Sequence, residues 1–263
     1  MLDKATREKI VDDFFEVYRS RKPMPLLTAT YPGIEVEDAY RIQQGFVARQ
    51  VAAGSKVKGY KVGLTSKPMQ EFSGTTEPDF SAITGDFFVP EATPIPMSRF
   101  FAPMVEMEIA FVMKEPLKGP GVLPVDVIRA TDFVLPAIEI VDFRVERAPG
   151  LNVIDNIADL AFCGAVVLGA NPRRLDQIDI RRVKGALYRN GTKELEGEAS
   201  AVLGNPVTAV AWLANKLGEF GTAFEPGDTI LTGSFVRVLP ISAGDEIVCQ
   251  FDQGLGEVAT SFV

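Results

Sequence analysis

Residues 103–112 read Pro103-Met104-Val105-Glu106-Met107-Glu108-Ile109-Ala110-Phe111-Val112, and this stretch decides how the rest of the chain is read. Side chains of a strand alternate between its faces. Val105, Met107, Ile109 and Phe111 therefore share one side, and Glu106 and Glu108 share the other. A second run, Phe133–Val141, sets Glu139 between Ile138 and Ile140. On an exposed strand such acids would simply be solvated. Runs this apolar, however, belong to central strands covered on both faces, where an unpaired carboxylate costs several kcal/mol. If the two strands pair, the three glutamates converge into an oxygen triad. Such a triad suits Mg²⁺ or Mn²⁺, which favour octahedral oxygen ligation and leave positions open for water and substrate.

Composition narrows the chemistry further. There is no histidine among the 263 residues, which removes Ser-His-Asp and Cys-His nucleophile systems and most zinc sites. Proton transfer must then fall to carboxylates, lysine, tyrosine or metal-bound water. A formal charge of −8 argues against nucleic acid or an anionic membrane surface as partner. No segment has the apolar length of a membrane span. The charged start, Met1 to Lys9, lacks the apolar core of a signal peptide. Cys163 and Cys249 sit among apolar neighbours and read as buried thiols of a reducing compartment. The expectation is a cytoplasmic enzyme.

Outward from the two acidic runs, helical spacing covers residues 5–20 and 35–53, ended by Pro23 and Gly54 respectively. Strands are expected at 58–64 and 86–89, and a short helix at 124–130. The segment 183–189 should form a strand that turns back at Asn190-Gly191. Asn205-Pro206 marks a helix start, with Val210, Leu213 and Leu217 along one face. Turns at 226–228 and 243–245 separate further apolar strands. Gly254-Leu255-Gly256 has hairpin spacing and lacks the strand-to-helix setting of a phosphate loop. The pattern predicts a mixed α+β chain: a helical N-terminal portion, residues 1–80, and a strand-dominated catalytic domain, residues 81–263, the two able to form one compact unit.

Two other residues stand out. Lys61 lies in the short apolar strand Gly59-Tyr60-Lys61-Val62-Gly63-Leu64-Thr65-Ser66. It either snorkels at a strand edge or faces an anionic, metal-chelated substrate. Asp79, in Thr76-Glu77-Pro78-Asp79-Phe80, has the spacing of a turn or helix cap, and spacing alone favours that reading.

In order and spacing these segments resemble the fumarylacetoacetate hydrolase superfamily, in its branch of 2-hydroxydienoate hydratases and 4-oxalocrotonate decarboxylases. The likeness also takes in Tyr188-Arg189-Asn190-Gly191, Leu231-Thr232-Gly233-Ser234 and Gly254-Leu255-Gly256, and so runs nearly end to end. It implies a mixed β-sandwich or β-roll, with the divalent metal on Glu106, Glu108 and Glu139. Lys61 and Asp79 are the implied catalytic pair, and Leu64, Thr65, Ser234 and Arg237 the implied substrate contacts. Hydratases of the branch carry Glu-Pro-Asp where decarboxylases put an apolar third residue, so Asp79 points to water addition. The run Gly233-Ser234-Phe235-Val236-Arg237 resembles hydratases acting on 2-oxo-heptenedioate, with Arg237 fitted to clamp a distal carboxylate. Leu160 departs from the family pattern, which has Asn there, and so takes a polar group from the expected pocket. The resemblance further implies a homo-oligomer, pentameric or decameric, and association with a downstream aldolase or a related decarboxylase.

Overall fold

The computed structural model describes all 263 residues. It opens with α1 (Lys4–Ser20), capped by the Asp3 carboxylate, which accepts the Thr6 N–H at 2.7 Å. A single turn, α2 (Leu27–Thr30), leads into α3 (Val36–Ala52). The buried stripe Ile10, Val11, Phe14 and Val17 of α1 meets Ile42 and Phe46 of α3, where Phe15 stacks on Phe46 at 4.5 Å. The chain then runs through β1 (Val57–Gly63), α4 (Lys67–Phe72), β2 (Asp79–Thr84), β3 (Phe88–Val89) and β4 (Met104–Met113). Next come α5 (Pro124–Ala130), β5 (Thr131–Val141), α6 (Val153–Ala158), β6 (Cys163–Leu168), β7 (Lys184–Arg189) and β8 (Thr192–Glu198). It finishes with α7 (Pro206–Glu219), β9 (Thr229–Leu231), β10 (Leu239–Pro240), β11 (Glu246–Phe251) and β12 (Gly256–Ser261).

The strands make two sheets. Eight form a curled mixed sheet in the order β2-β1-β9-β4-β5-β6-β3, with β10 added beside β4. The other four, β12-β11-β7-β8, are antiparallel and pack on the first sheet across β5. β7 and β8 turn at Asn190 and Gly191, both at positive φ, as the Asn-Gly signal requires. Val105, Met107, Ile109 and Phe111 are fully buried. β7 crosses over Met107 at Gly185, so the apolar face of β4 is the one covered by the second sheet. Asn205 caps α7 through the Val207 N–H, and Val210, Leu213 and Leu217 are buried as their spacing predicts. No helix is long and apolar enough to cross a membrane.

Residue 80 lies inside β2, and β1 and β2 pair into the same sheet as the strands that follow. One expected element shortens. The strand expected over 86–89 is confined to Phe88–Val89, because Gly85–Phe87 form a 3₁₀ turn first. Four elements, β2, β6, α4 and α6, leave no pattern in the sequence. Each is only six residues long, too short for a periodic signal.

Candidate carboxylate and lysine centre

Ladder register alone brings the five predicted ionisable residues to one side of the large sheet. Glu106 of β4 lies directly opposite Glu139 of β5, and Glu108 opposite Ala137. Ala110, on the same face as both glutamates, pairs with Leu231 of β9, and Leu231 pairs with Lys61 of β1. Lys61 faces Ser81, and two residues on Gly63 faces Asp79 of β2. Opposed residues share a face and alternate along each strand. Lys61, Asp79, Glu106, Glu108 and Glu139 therefore all project from the face opposite Met107.

The three glutamates converge as their strands predict: one oxygen from each lies within 4.8 Å of the others. Glu108 and Glu139 are fully buried, and Glu106 is half-buried. Glu139 Oε1 accepts from Lys61 Nζ at 2.6 Å, and Glu108 Oε2 accepts from the Gly233 N–H at 2.8 Å. Glu139 Oε2 and Glu108 Oε1 are buried with no partner at all. Buried acceptors without donors are rare and costly. An all-carboxylate donor set holding two orphaned oxygens fits a hard divalent cation and fits zinc poorly. β1 is paired on both sides, by β2 and β9, so Lys61 is no strand-edge snorkel: it is 4% exposed and reaches Glu139 from across the sheet.

Burial, and then the charge of Glu139, pushes the Glu106 carboxyl up to about 7. Burial followed by Glu139 and Glu106 raises Glu108 well above the usual carboxylate range. For Lys61, burial works against the charged form, but Glu139 and the neighbouring acids outweigh it and hold the ammonium above its ordinary value. Lys61 Nζ also donates to the Ala161 carbonyl at 2.7 Å.

Asp79 is neither a turn nor a cap. It begins β2, is completely buried, and accepts from Asn156 Nδ2 of α6 through Oδ2. Its Oδ1 has no partner and lies against the Gly63 backbone, where a Cβ would come within 2.2 Å of it. Burial pushes Asp79 up to about 7; Lys61 opposes this and Glu139 adds to it. No pattern singles out Asn156, because α6 is short and the β2 strand it serves is distant along the chain. Gln43 of α3 holds these parts together, donating to Phe80 O at 2.9 Å and Ile157 O at 2.8 Å.

The four predicted substrate contacts divide. Thr65 is buried, and Gly233, at φ +100°, passes so close that a Cβ would lie 2.4 Å from Thr65 Oγ1. Leu64 is half-buried at φ 54°, its carbonyl held by Gln70 Nε2 at 2.9 Å. Ser234 follows the N–H that contacts Glu108, and its Oγ sits 2.8 Å from Val236 O. Arg237 is exposed and makes no ion pair or hydrogen bond, since the β9–β10 connection carries it outward beyond Ser234. Leu160 is buried next to Ala161, in the turn that touches Lys61.

Residues 44–263 match the family described as fumarylacetoacetate (FAA) hydrolase, C-terminal. A 2-oxo-hept-4-ene-1,7-dioate hydratase of Escherichia coli is 39% identical over 268 residues, spanning 100% of both chains. A 4-oxalocrotonate decarboxylase of Pseudomonas sp. (strain CF600) is 35% identical over 240 residues, or 91% of this chain and 90% of that one. The solved 4-oxalocrotonate decarboxylase from Pseudomonas putida G7, complexed with magnesium and adipate, superposes with a TM-score of 0.96 at 32% identity. That superposition covers 100% of this chain and 99% of the decarboxylase. Residues, register and relatives agree, and the chain belongs to the fumarylacetoacetate hydrolase family, alongside its dienoate hydratases and oxalocrotonate decarboxylases.

Proposed function

We propose that this protein is a divalent-metal-dependent hydro-lyase. It adds water to a 2-hydroxy-2,4-dienoate, a diene-dioate in particular, and yields a 4-hydroxy-2-oxo acid in the meta-cleavage degradation of aromatic compounds. The observation that carries the reading is Asp79: a buried carboxyl beside Lys61 with one oxygen free and a pKa near neutrality. A group of that pKa can both give and take a proton at physiological pH. The names of the full-length relatives support the same reaction class.

Glu106, Glu108 and Glu139 are the residues that would hold Mg²⁺ or Mn²⁺, and the ion when bound supplies a Lewis acid for the substrate's C1 carboxylate and C2 oxygen. Lys61 adds a second positive charge, stabilising the electron density that gathers on the C2 oxygen during ketonisation. Ketonisation moves the 2-hydroxyl proton to C5 and leaves a C3–C4 double bond conjugated to the 2-oxo group. Water then adds, its hydroxyl to C4 and a proton to C3. Asp79 is the group positioned to accept the water proton. Arg237, on the loop that also presents Gly233 to Glu108, is the candidate clamp for a distal carboxylate once substrate draws the loop inward. The same reading takes the active form to be a homo-oligomer, pentameric or decameric, which sedimentation equilibrium tests.

The decisive experiment is Asp79→Asn assayed on 2-hydroxypentadienoate and on longer 2-hydroxydiene-dioates, with dienol absorbance and released CO₂ followed together. Hydration should fall by about 10²–10⁴-fold, with Mg²⁺ affinity retained. Turnover within a few-fold of the parent protein removes Asp79 from the mechanism. CO₂ release matching dienol loss would assign the chain to the decarboxylases instead.

A further inference from the structure

Leu160, Ala161 and Phe162 follow one another with φ of 55°, 46° and 57°. The left-handed region is unfavourable for every residue bearing a Cβ, and three in succession with no glycine among them need something to hold them there. Arg144, 1% exposed, provides it. One terminal nitrogen donates to Asp159 O at 2.7 Å and the other to Cys163 O at 2.7 Å, so the guanidinium spans the two carbonyls that bracket the turn. Nε donates to the Asp159 carboxylate, which also accepts the Arg144 backbone N–H at 2.8 Å. Phe162 N–H donates to Asp159 O at 2.8 Å, and Phe162 O accepts from Asp142 N–H at 2.8 Å. Within this closed arrangement, the Ala161 carbonyl turns to Lys61 Nζ at 2.7 Å. With Glu139 Oε1 at 2.6 Å as the other acceptor, the ammonium is fixed from two sides. A Tyr18 hydroxyl 3.2 Å from Arg144 ties α1 to the same device.

We propose that Arg144 is a positioning residue: its guanidinium staples residues 160–162 into a left-handed turn that aims the Ala161 carbonyl at Lys61 and sets the ammonium beside Glu139. The inference rests on the role given to Lys61 under the proposed function. A plain buried ion pair needs only Arg144 and Asp159. The two further donations, to carbonyls on either side of the strained turn, are what a rigid planar fork can make and a point charge cannot.

The test is Arg144→Lys, which keeps the positive charge against Asp159 but cannot span both carbonyls. Its crystal structure should show the Ala161 carbonyl rotated off Lys61 Nζ. A shift of that size in a catalytic group should lower kcat by about tenfold or more, with KM and calorimetric Mg²⁺ affinity within about twofold. Adding Ala161→Gly, which adopts positive φ without penalty, should return the carbonyl to Lys61 and recover most of kcat. A merely structural pair would not be rescued by a glycine that loosens the chain. A carbonyl still seated on Lys61 in Arg144→Lys overturns the proposal, as does a double variant in which it stays displaced. Displacement with kcat unchanged supports the staple and removes Lys61 from the reaction, so the two failures are separable. Should Arg144→Lys not fold alone, the double variant decides. A folded double variant with the carbonyl on Lys61 supports the staple, and one that also fails to fold overturns it.

Discussion

Three carboxylates gathered in one place, two of them fully buried, oblige protons and a divalent cation to compete for the same oxygens. Metal ligands bind deprotonated, so affinity for Mg²⁺ is gained as pH rises through the carboxyl pKa values and lost as it falls. Glu106 titrates at about 7 in the metal-free protein. It is then about nine-tenths protonated at pH 6 and about one-tenth at pH 8, which alone weakens Mg²⁺ about tenfold over that interval. Glu108 is also raised, by burial and by Glu139 and Glu106, and steepens the dependence in the same direction. Calorimetric titration at pH 6, 7 and 8, in buffers of different ionisation enthalpy, reads both quantities. At pH 7 about half a proton should leave from Glu106, with Glu108 adding to the release. Stability carries the matching sign. The folded metal-free protein holds protons that the unfolded chain, with Glu at 4.5, releases, so it loses stability as pH rises from 4.5 towards 7. Glu106 contributes roughly 3 kcal/mol to that loss at 1.36 kcal/mol per pH unit. The Tm gap between Mg²⁺-loaded and metal-free protein should therefore widen from pH 5 to pH 8. A Kd constant within about twofold from pH 6 to 8, with no proton release, would refute the claim that these acids form one buried site.

Gly63→Ala should cut kcat by about 10²-fold while the protein stays folded, because a Cβ there meets Asp79 Oδ1 at 2.2 Å; wild-type kcat would show that the Asp79 position is not critical. Gly233→Ala strains a residue at φ +100° and drives a Cβ into Thr65. It should move the N–H that serves Glu108, weakening Mg²⁺ by about tenfold, and calorimetry checks this directly. Arg237→Ala should raise KM for diene-dioates by about tenfold or more and leave monoacid substrates unchanged; equal losses on both would end the clamp assignment.

How much of this was legible in the sequence depends on distance along the chain. Alternation within 103–112 and 133–141 placed the three glutamates on strand faces, and the register Glu106↔Glu139 completed the triad as pairing would require. The helices with a full apolar stripe, α1, α3 and α7, were legible for the same local reason. Asp79 was not, because a residue after proline looks like a turn until β2 is known to pair with β1, and that pairing is a tertiary fact. Asn156, Ala161 O and the Gly233 N–H were invisible from the sequence. Two of them are backbone groups or depend on one, and the third is a common residue on a short helix whose only distinction is the strand it packs against. Arg237 shows the opposite limit: its residue type fits a carboxylate, but the fold leaves it in solvent.

On the proposed mechanism, charge balance accounts for both a divalent ion and a titratable Asp79. Glu106, Glu108 and Glu139 bring three negative charges to one face of a sheet, and Lys61 is the single cation hydrogen-bonded to any of them. A divalent ion and Lys61 together offset the three glutamates, which leaves Asp79 and the incoming substrate carboxylate as the remaining anions. Two uncompensated negative charges in a buried place repel strongly, and the cheapest relief is a proton on the group that already titrates at about 7. On the proposed mechanism, substrate binding therefore favours transfer of the 2-hydroxyl proton to Asp79, which passes it on to C5. Its release returns the carboxylate that water addition then requires. An Asp at its ordinary pKa could accept that proton but would not hold one ready. The burial that raises Asp79, enforced by Gly63 on one side and Asn156 on the other, is thus as much a part of the proposed chemistry as the carboxylate itself.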